Sequence, residues 1–108
     1  MARFMIQAAY TQQAWEAMVR NPRNRTEALR PVIEKLGGRI EGFWYVLGEH
    51  DAVAIVEMPD NASAAAFSIA AAAAGAVKSF KTTPLMTAEE GVLAMKRAGE
   101  IPYLPPGR

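Results

Sequence analysis

The sequence predicts an α+β fold, a four-stranded antiparallel sheet with helices on one face. Three observations lead there. Four separate stretches read as strands, most of them alternating apolar and polar residues with period two. Helical runs separate the first stretch from the second and the third from the fourth, whereas only a short turn joins the second to the third. At 108 residues, 51% apolar and 21% charged, the chain is long enough for one domain with its own core, and its composition is that of a folded protein.

The elements follow in order. Arg3–Tyr10 places Phe4, Ile6, Ala8 and Tyr10 on one alternation and reads as a strand. Thr11 is a plausible N-cap for a helix over Gln12–Arg20, where Ala14, Ala17 and Met18 share a face with Trp15 and Val19 beside them. Asn21-Pro22 interrupts it. In the next helical stretch Leu29, Val32, Ile33 and Leu36 fall at i, i+3, i+4 and i+7; Pro31 either kinks that helix or sits in its first turn, and Gly37-Gly38 stops it. Arg39–Leu47 is the second strand, with Ile40, Gly42, Trp44 and Val46 on one face and Phe43, Tyr45 and Leu47 on the other. Gly48–Asp51 is a turn, and Ala52–Met58 a third strand that ends at Pro59.

Pro59-Asp60-Asn61 offers an N-cap, and the alanine content predicts a helix over Asn61–Ala74, ended by Gly75. Ala76–Met86 alternates weakly and reads as an edge or interface strand. Thr87 and Glu90 have the spacing of a capping box for a short helix to about Arg97. Residues 1–97 are therefore expected as one domain, with 98–108 a Pro-rich extended tail. The order β-α-β-β-α-β with an added helix is the split, ferredoxin-like arrangement. Its second sheet face would carry large apolar groups from the second and third strands, which water does not tolerate without cost. Pairing of two sheets into a dimeric α/β barrel, as a homodimer or higher homo-oligomer, is the expected remedy.

The segment from Gly37-Gly38 through Gly48-Glu49-His50-Asp51 to Ala52-Val53-Ala54-Ile55-Val56-Glu57-Met58-Pro59-Asp60 resembles the GYD domain family. That family has a glycine–x–tyrosine–aspartate hairpin followed by a strand ending in E-x-P-D. The likeness covers roughly residues 3–90, with His50 in place of the namesake tyrosine and Gly48 and Asp51 matching. It implies a ferredoxin-like fold and a dimeric α/β barrel, and it implies no particular activity.

Composition narrows the function. A net charge of +1 gives no electrostatic basis for binding nucleic acid. With no Cys and one His, thiol chemistry and a structural zinc site within one chain are excluded. No phosphate-binding glycine loop or nucleophile elbow occurs. No cofactor is expected: a lone imidazole could ligate a haem iron, but no other residue signals a haem pocket. The amino-terminal residues do not read as a signal peptide, and the longest apolar run, mostly alanine, does not read as a membrane span. A cytoplasmic protein is expected, and the Arg-over-Lys and alanine bias suggests a GC-rich bacterial source.

His50 and Asp51 are the weak catalytic candidates, as a proton relay. Their structural reading is a turn in which Gly48 takes a positive φ and Asp51 caps its own backbone. Tyr10, Phe43, Trp44 and Tyr45 are the ligand-binding candidates, lining a pocket between helices and sheet or between two subunits, or else packing as core and interface. Arg20, Arg23, Arg25 and Arg30 read better as a solvated face than as an anion site. The run Ala62–Ala76 reads as a close-packed scaffold helix. The favoured reading is a homo-oligomeric, non-catalytic domain binding a small ligand or a partner protein. The alternative is a cofactor-independent oxygenase or isomerase acting on a small aromatic substrate.

Overall fold

The computed structural model describes residues 1–107; Arg108, the last residue of the expected tail, lies outside them. The elements are β1 (Ala2–Tyr10), α1 (Gln12–Arg20), α2 (Arg25–Lys35), β2 (Arg39–Tyr45), β3 (Ala52–Met58), α3 (Asn61–Ala73), β4 (Val77–Leu85) and α4 (Ala88–Gly99). The sheet runs β2-β3-β1-β4 with every neighbouring pair antiparallel. This is the expected ferredoxin-like α+β fold with an extra C-terminal helix. The first crossover is made by two successive helices, of which α2 lies over β2, while α3 lies over β4.

The core is built from one face of the sheet. Phe4 and Ile6 of β1, Ile40 of β2, and Ala54, Val56 and Met58 of β3 meet Ile33 of α2 and Ala64 and Phe67 of α3. Ile33 and Met58 are almost wholly excluded from water. Each residue belongs to the inward set of its strand or helix, as period two and period 3.6 require.

The helix ends carry the capping chemistry their sequences advertise. Thr11 accepts from the Ala14 N–H and Asn24 from the Thr26 N–H. Asp60 accepts from the Ser63 N–H at 2.8 Å, and that bond holds its carboxyl below the ordinary value. Thr87 and Glu90 form the reciprocal capping box. After α2 the Gly38 N–H donates to the Ile33 carbonyl and the Gly37 N–H to the Glu34 carbonyl, with Gly37 at φ +84°. That is a Schellman ending, which satisfies two carbonyls and turns the chain into β2. Pro31 lies inside α2, not at its start: the helix begins six residues earlier, on the Asn24 cap.

Two bulges change the strand phases read from the sequence. In β2 the register shifts between Ile40 and Gly42, so Glu41 has no partner of its own. Ile40, Phe43 and Tyr45 therefore face the helices, opposite Val56, Ala54 and Ala52, while Gly42 and Trp44 face the other way with Ile55 and Val53. The expected sharing of a face by Ile40 and Trp44 is corrected. β2 also stops at Tyr45, leaving Val46 and Leu47 in the connection, with Leu47 fully exposed. A second shift, between Ala9 and Tyr10, pairs Tyr10 with Val77.

The open sheet face is thus less apolar than expected. It carries Met5, Val53, Ile55 and, on the edge strand β2, Trp44, which is 55% exposed, beside Gln7, Thr83 and Lys81 of β1 and β4. The Trp44 indole lies over Gly42, where a Cβ would fall 2.9 Å from its Cζ2. At one end, Arg3 bridges Glu41 (2.9 Å) and Glu57 (3.1 Å), and Arg39 bridges Glu57 (3.1 Å).

The fourth helix stands away from this body. All of α4 apart from Gly91 is exposed, including Val92, Leu93 and Met95, and the residues after it are exposed too. The molecule measures 57 × 33 × 23 Å with a radius of gyration of 17.4 Å. A compact chain of this length would have about 13 Å, so the difference reflects the projecting C-terminal arm.

Candidate functional site

The space between α2, α3 and the sheet is not filled. α3 is anchored through its amino-terminal half. Ala64 and Phe67 are buried, Phe67 meets Phe80 edge-on at 5.9 Å between ring centroids, and the Ser68 and Thr82 hydroxyls are 2.8 Å apart. Beyond Ser68 the side turned to the sheet is alanine. Ala70, Ala71 and Ala74, with no atom beyond Cβ, do not reach the strands. They leave a cavity of about 230 Å³. Its floor is Ile6, Ala8 and Tyr10 of β1, Phe43 of β2 and Ala52 and Ala54 of β3; Leu29, Val32 and Ile33 of α2 form the opposite wall. The expectation of a close-packed alanine helix is corrected along this half.

The space is partly open to solvent, and its volume is that of one small ring or a short chain.

One wall residue is charged. Arg25 opens α2 directly after the Asn24 cap. It shares its helical stripe with Leu29, Val32 and Leu36, which brings its stem inward. Its Nε is buried with no hydrogen-bond partner, the only such side-chain atom found among the described residues. The reading of Arg25 as part of a solvated face is corrected. The signal was present in the sequence, since Arg25 precedes Leu29 by four and Val32 by seven, within the strongest helical pattern of the chain.

Beside Arg25 runs an aromatic row. Tyr10 meets Trp15 edge-on at 5.4 Å, Trp15 lies 6.3 Å from Tyr45, and Tyr45 meets Phe43 edge-on at 5.2 Å. Burial pushes the Tyr10 phenol above its ordinary value, while the nearby Arg25 charge acts in the opposite direction.

The structure separates the four aromatic candidates. Tyr10 and Phe43 line the cavity. Tyr45 braces Phe43 from behind, and Trp44 lies on the opposite sheet face. His50 is half-exposed in the β2–β3 connection and is not part of the cavity wall. Asp51 makes a long-range tie. Its Oδ2 accepts from the Tyr10 N–H at 2.9 Å, its own N–H donates to the Ala8 carbonyl at 2.8 Å, and its carbonyl accepts from the Val46 N–H. These bonds bind the hairpin to the end of β1 where the ladder shifts. Gly48 has φ +127°, the positive value expected of the turn. Among the described residues no group of three or more His, Asp or Glu is placed to hold a metal ion, and no helix is long and apolar enough to cross a membrane.

The fold and site define a class: a ferredoxin-like domain whose helix layer stands off the sheet around an apolar cavity. Within that class the chain belongs to the GYD domain family, whose model matches residues 4–94. No curated protein and no solved structure matches it.

Proposed function

We propose that this chain is a self-associating domain that binds a small apolar ligand in the cavity between α2, α3 and the sheet. The observation that carries the reading is the cavity itself, whose wall is aliphatic and aromatic apart from Arg25 and the Tyr10 hydroxyl. The space is partly open, so its apolar lining faces water when empty, and a ligand that fills it removes that surface from water. No general base stands at the wall, since His50 lies elsewhere and Asp51 is engaged with the β1 backbone. Binding without chemistry therefore accounts for the residues present.

Self-association rests on the second sheet face. It carries Met5, Val53, Ile55 and Trp44, its arginines and glutamates at one end are paired with each other, and Lys81 lies beside Gln7. An apolar patch of this kind, with most of its charges paired, suits a second copy of itself better than a strongly charged partner. The exposed α4, with Val92 and Met95 on one side, adds apolar surface at the same assembly's edge.

The ligand reading is tested with an uncharged probe. Toluene should raise the Tm of the wild-type protein by a few degrees at concentrations well above its Kd. Ala71→Leu, which adds three carbons to the wall and takes up part of the cavity, should raise stability on its own by about 1 kcal/mol and should respond less to toluene. An unchanged Tm in the wild type, or an equal toluene response in the variant, would contradict the assignment.

A further inference from the structure

Arg25 is the one charged residue of the cavity wall, and that feature points to the ligand class. We propose that the site selects a small monoanion with an apolar body, an aryl or short alkyl carboxylate, whose carboxylate is received by Arg25. The inference rests on the ligand-binding reading above and adds the polarity of the ligand to it.

The Arg25 guanidinium carries five N–H donors in a planar fork. Its Nε has no hydrogen-bond partner, the Tyr10 hydroxyl lies within reach of the guanidinium, and the cavity wall contains neither Asp nor Glu. Asp51, the acid nearest Tyr10 in the hairpin, gives Oδ2 to the Tyr10 N–H. A carboxylate in the cavity satisfies the guanidinium with two parallel N–H···O bonds once the Arg25 side chain turns its fork toward the opening. The Tyr10 hydroxyl, at the same end of the wall, can donate a further bond, because burial keeps it protonated well beyond neutral pH. The remaining walls offer only hydrocarbon and ring faces, and the volume of about 230 Å³ suits one substituted ring or a short branched chain. A dianion or a sugar would leave polar groups facing Leu29, Val32 and the α3 alanines without partners.

The test compares matched probes by calorimetric titration: benzoate against benzamide, and hexanoate against hexanamide. The wild-type protein should bind each carboxylate about ten- to a hundredfold more tightly than its amide, the range of one charge-assisted bidentate contact. Arg25→Met should abolish that preference while leaving benzamide affinity unchanged or improved. Arg25→Lys, which keeps the charge and loses the fork, should retain an intermediate preference. A far-UV and thermal check on both variants separates loss of fold from loss of recognition. If amides and carboxylates bind the wild type equally, or if Arg25→Met keeps the carboxylate preference, the anion assignment is overturned while cavity binding stands. If none of the four probes binds, both fail.

Discussion

Gly38→Ala is expected to destabilise the domain by about 3 kcal/mol or more, lowering Tm by on the order of 15 °C. Gly38 sits where the Schellman ending of α2 enters β2, against the end of β3. A Cβ there would collide with the Glu57 backbone carbonyl oxygen and lie 2.6 Å from Met58 Sδ and 3.3 Å from Ile33 Cγ2. The carbonyl cannot swing away without disturbing the β2–β3 ladder, and Met58 and Ile33 are among the most completely buried side chains of the core. Relief therefore requires separating α2 from the sheet. The neighbouring Gly37 provides the control. At φ +84°, with its nearest neighbour the Pro59 ring at 3.5 Å, Gly37→Ala meets no backbone and carries only the left-handed conformational cost, about 1–2 kcal/mol. Urea denaturation of the two variants separates a steric role from a conformational one.

Trp44→Glu is expected to weaken self-association at least a hundredfold, with little loss of monomer stability. Aromatic anchors at the centre of an interface are worth about 2 kcal/mol or more on truncation, and a buried unpaired carboxylate adds to that. Trp44 is suited to such a role by its place on the open face opposite Val53, and by Gly42, whose missing side chain lets the indole lie against the strand. Its exposure in the single chain means that the folded monomer loses few contacts with it. Sedimentation velocity across a concentration series, compared with Leu47→Glu in the exposed hairpin, checks the expectation. A wild-type protein that sediments as a monomer at high micromolar concentration would contradict it.

Most of the scaffold was legible in the sequence, because each element carries a local cause. Period-two alternation marked β1 and β3, the stripe from Leu29 to Leu36 marked α2, and Thr11, Asp60 and the Thr87–Glu90 pair marked the helix starts. What was not legible depends on contacts between distant residues. The bulge at Glu41 inverts the second half of β2, and its one local sign is Gly42 inside the strand, which does not fix where the phase changes. The Asp51 carboxylate looks like a turn cap by composition, yet its partner is 41 positions away at Tyr10.

The site failed to show for a related reason. An alanine run states that a helix forms, but whether it closes on the sheet depends on the side chains at its other end. Phe67 against Phe80, and Ser68 against Thr82, set the height of α3 above the strands, and the alanines after them then fall short. Arg25 was grouped with Arg20, Arg23 and Arg30 by type, although its phase in α2 sets it among leucine, valine and isoleucine.

The cavity is expected to accept a ligand, and the alanines that create it also report on it. Methyl carbon–proton correlation spectra of the protein labelled at alanine Cβ, recorded during titration with benzoate, address the claim directly. The Ala70, Ala71 and Ala74 methyls should shift saturably together with those of Ala52 and Ala54 across the cavity, while Ala94 and Ala98 on the projecting α4 stay fixed. Shifts confined to α4, or cavity methyls that do not move at saturating probe, would contradict it.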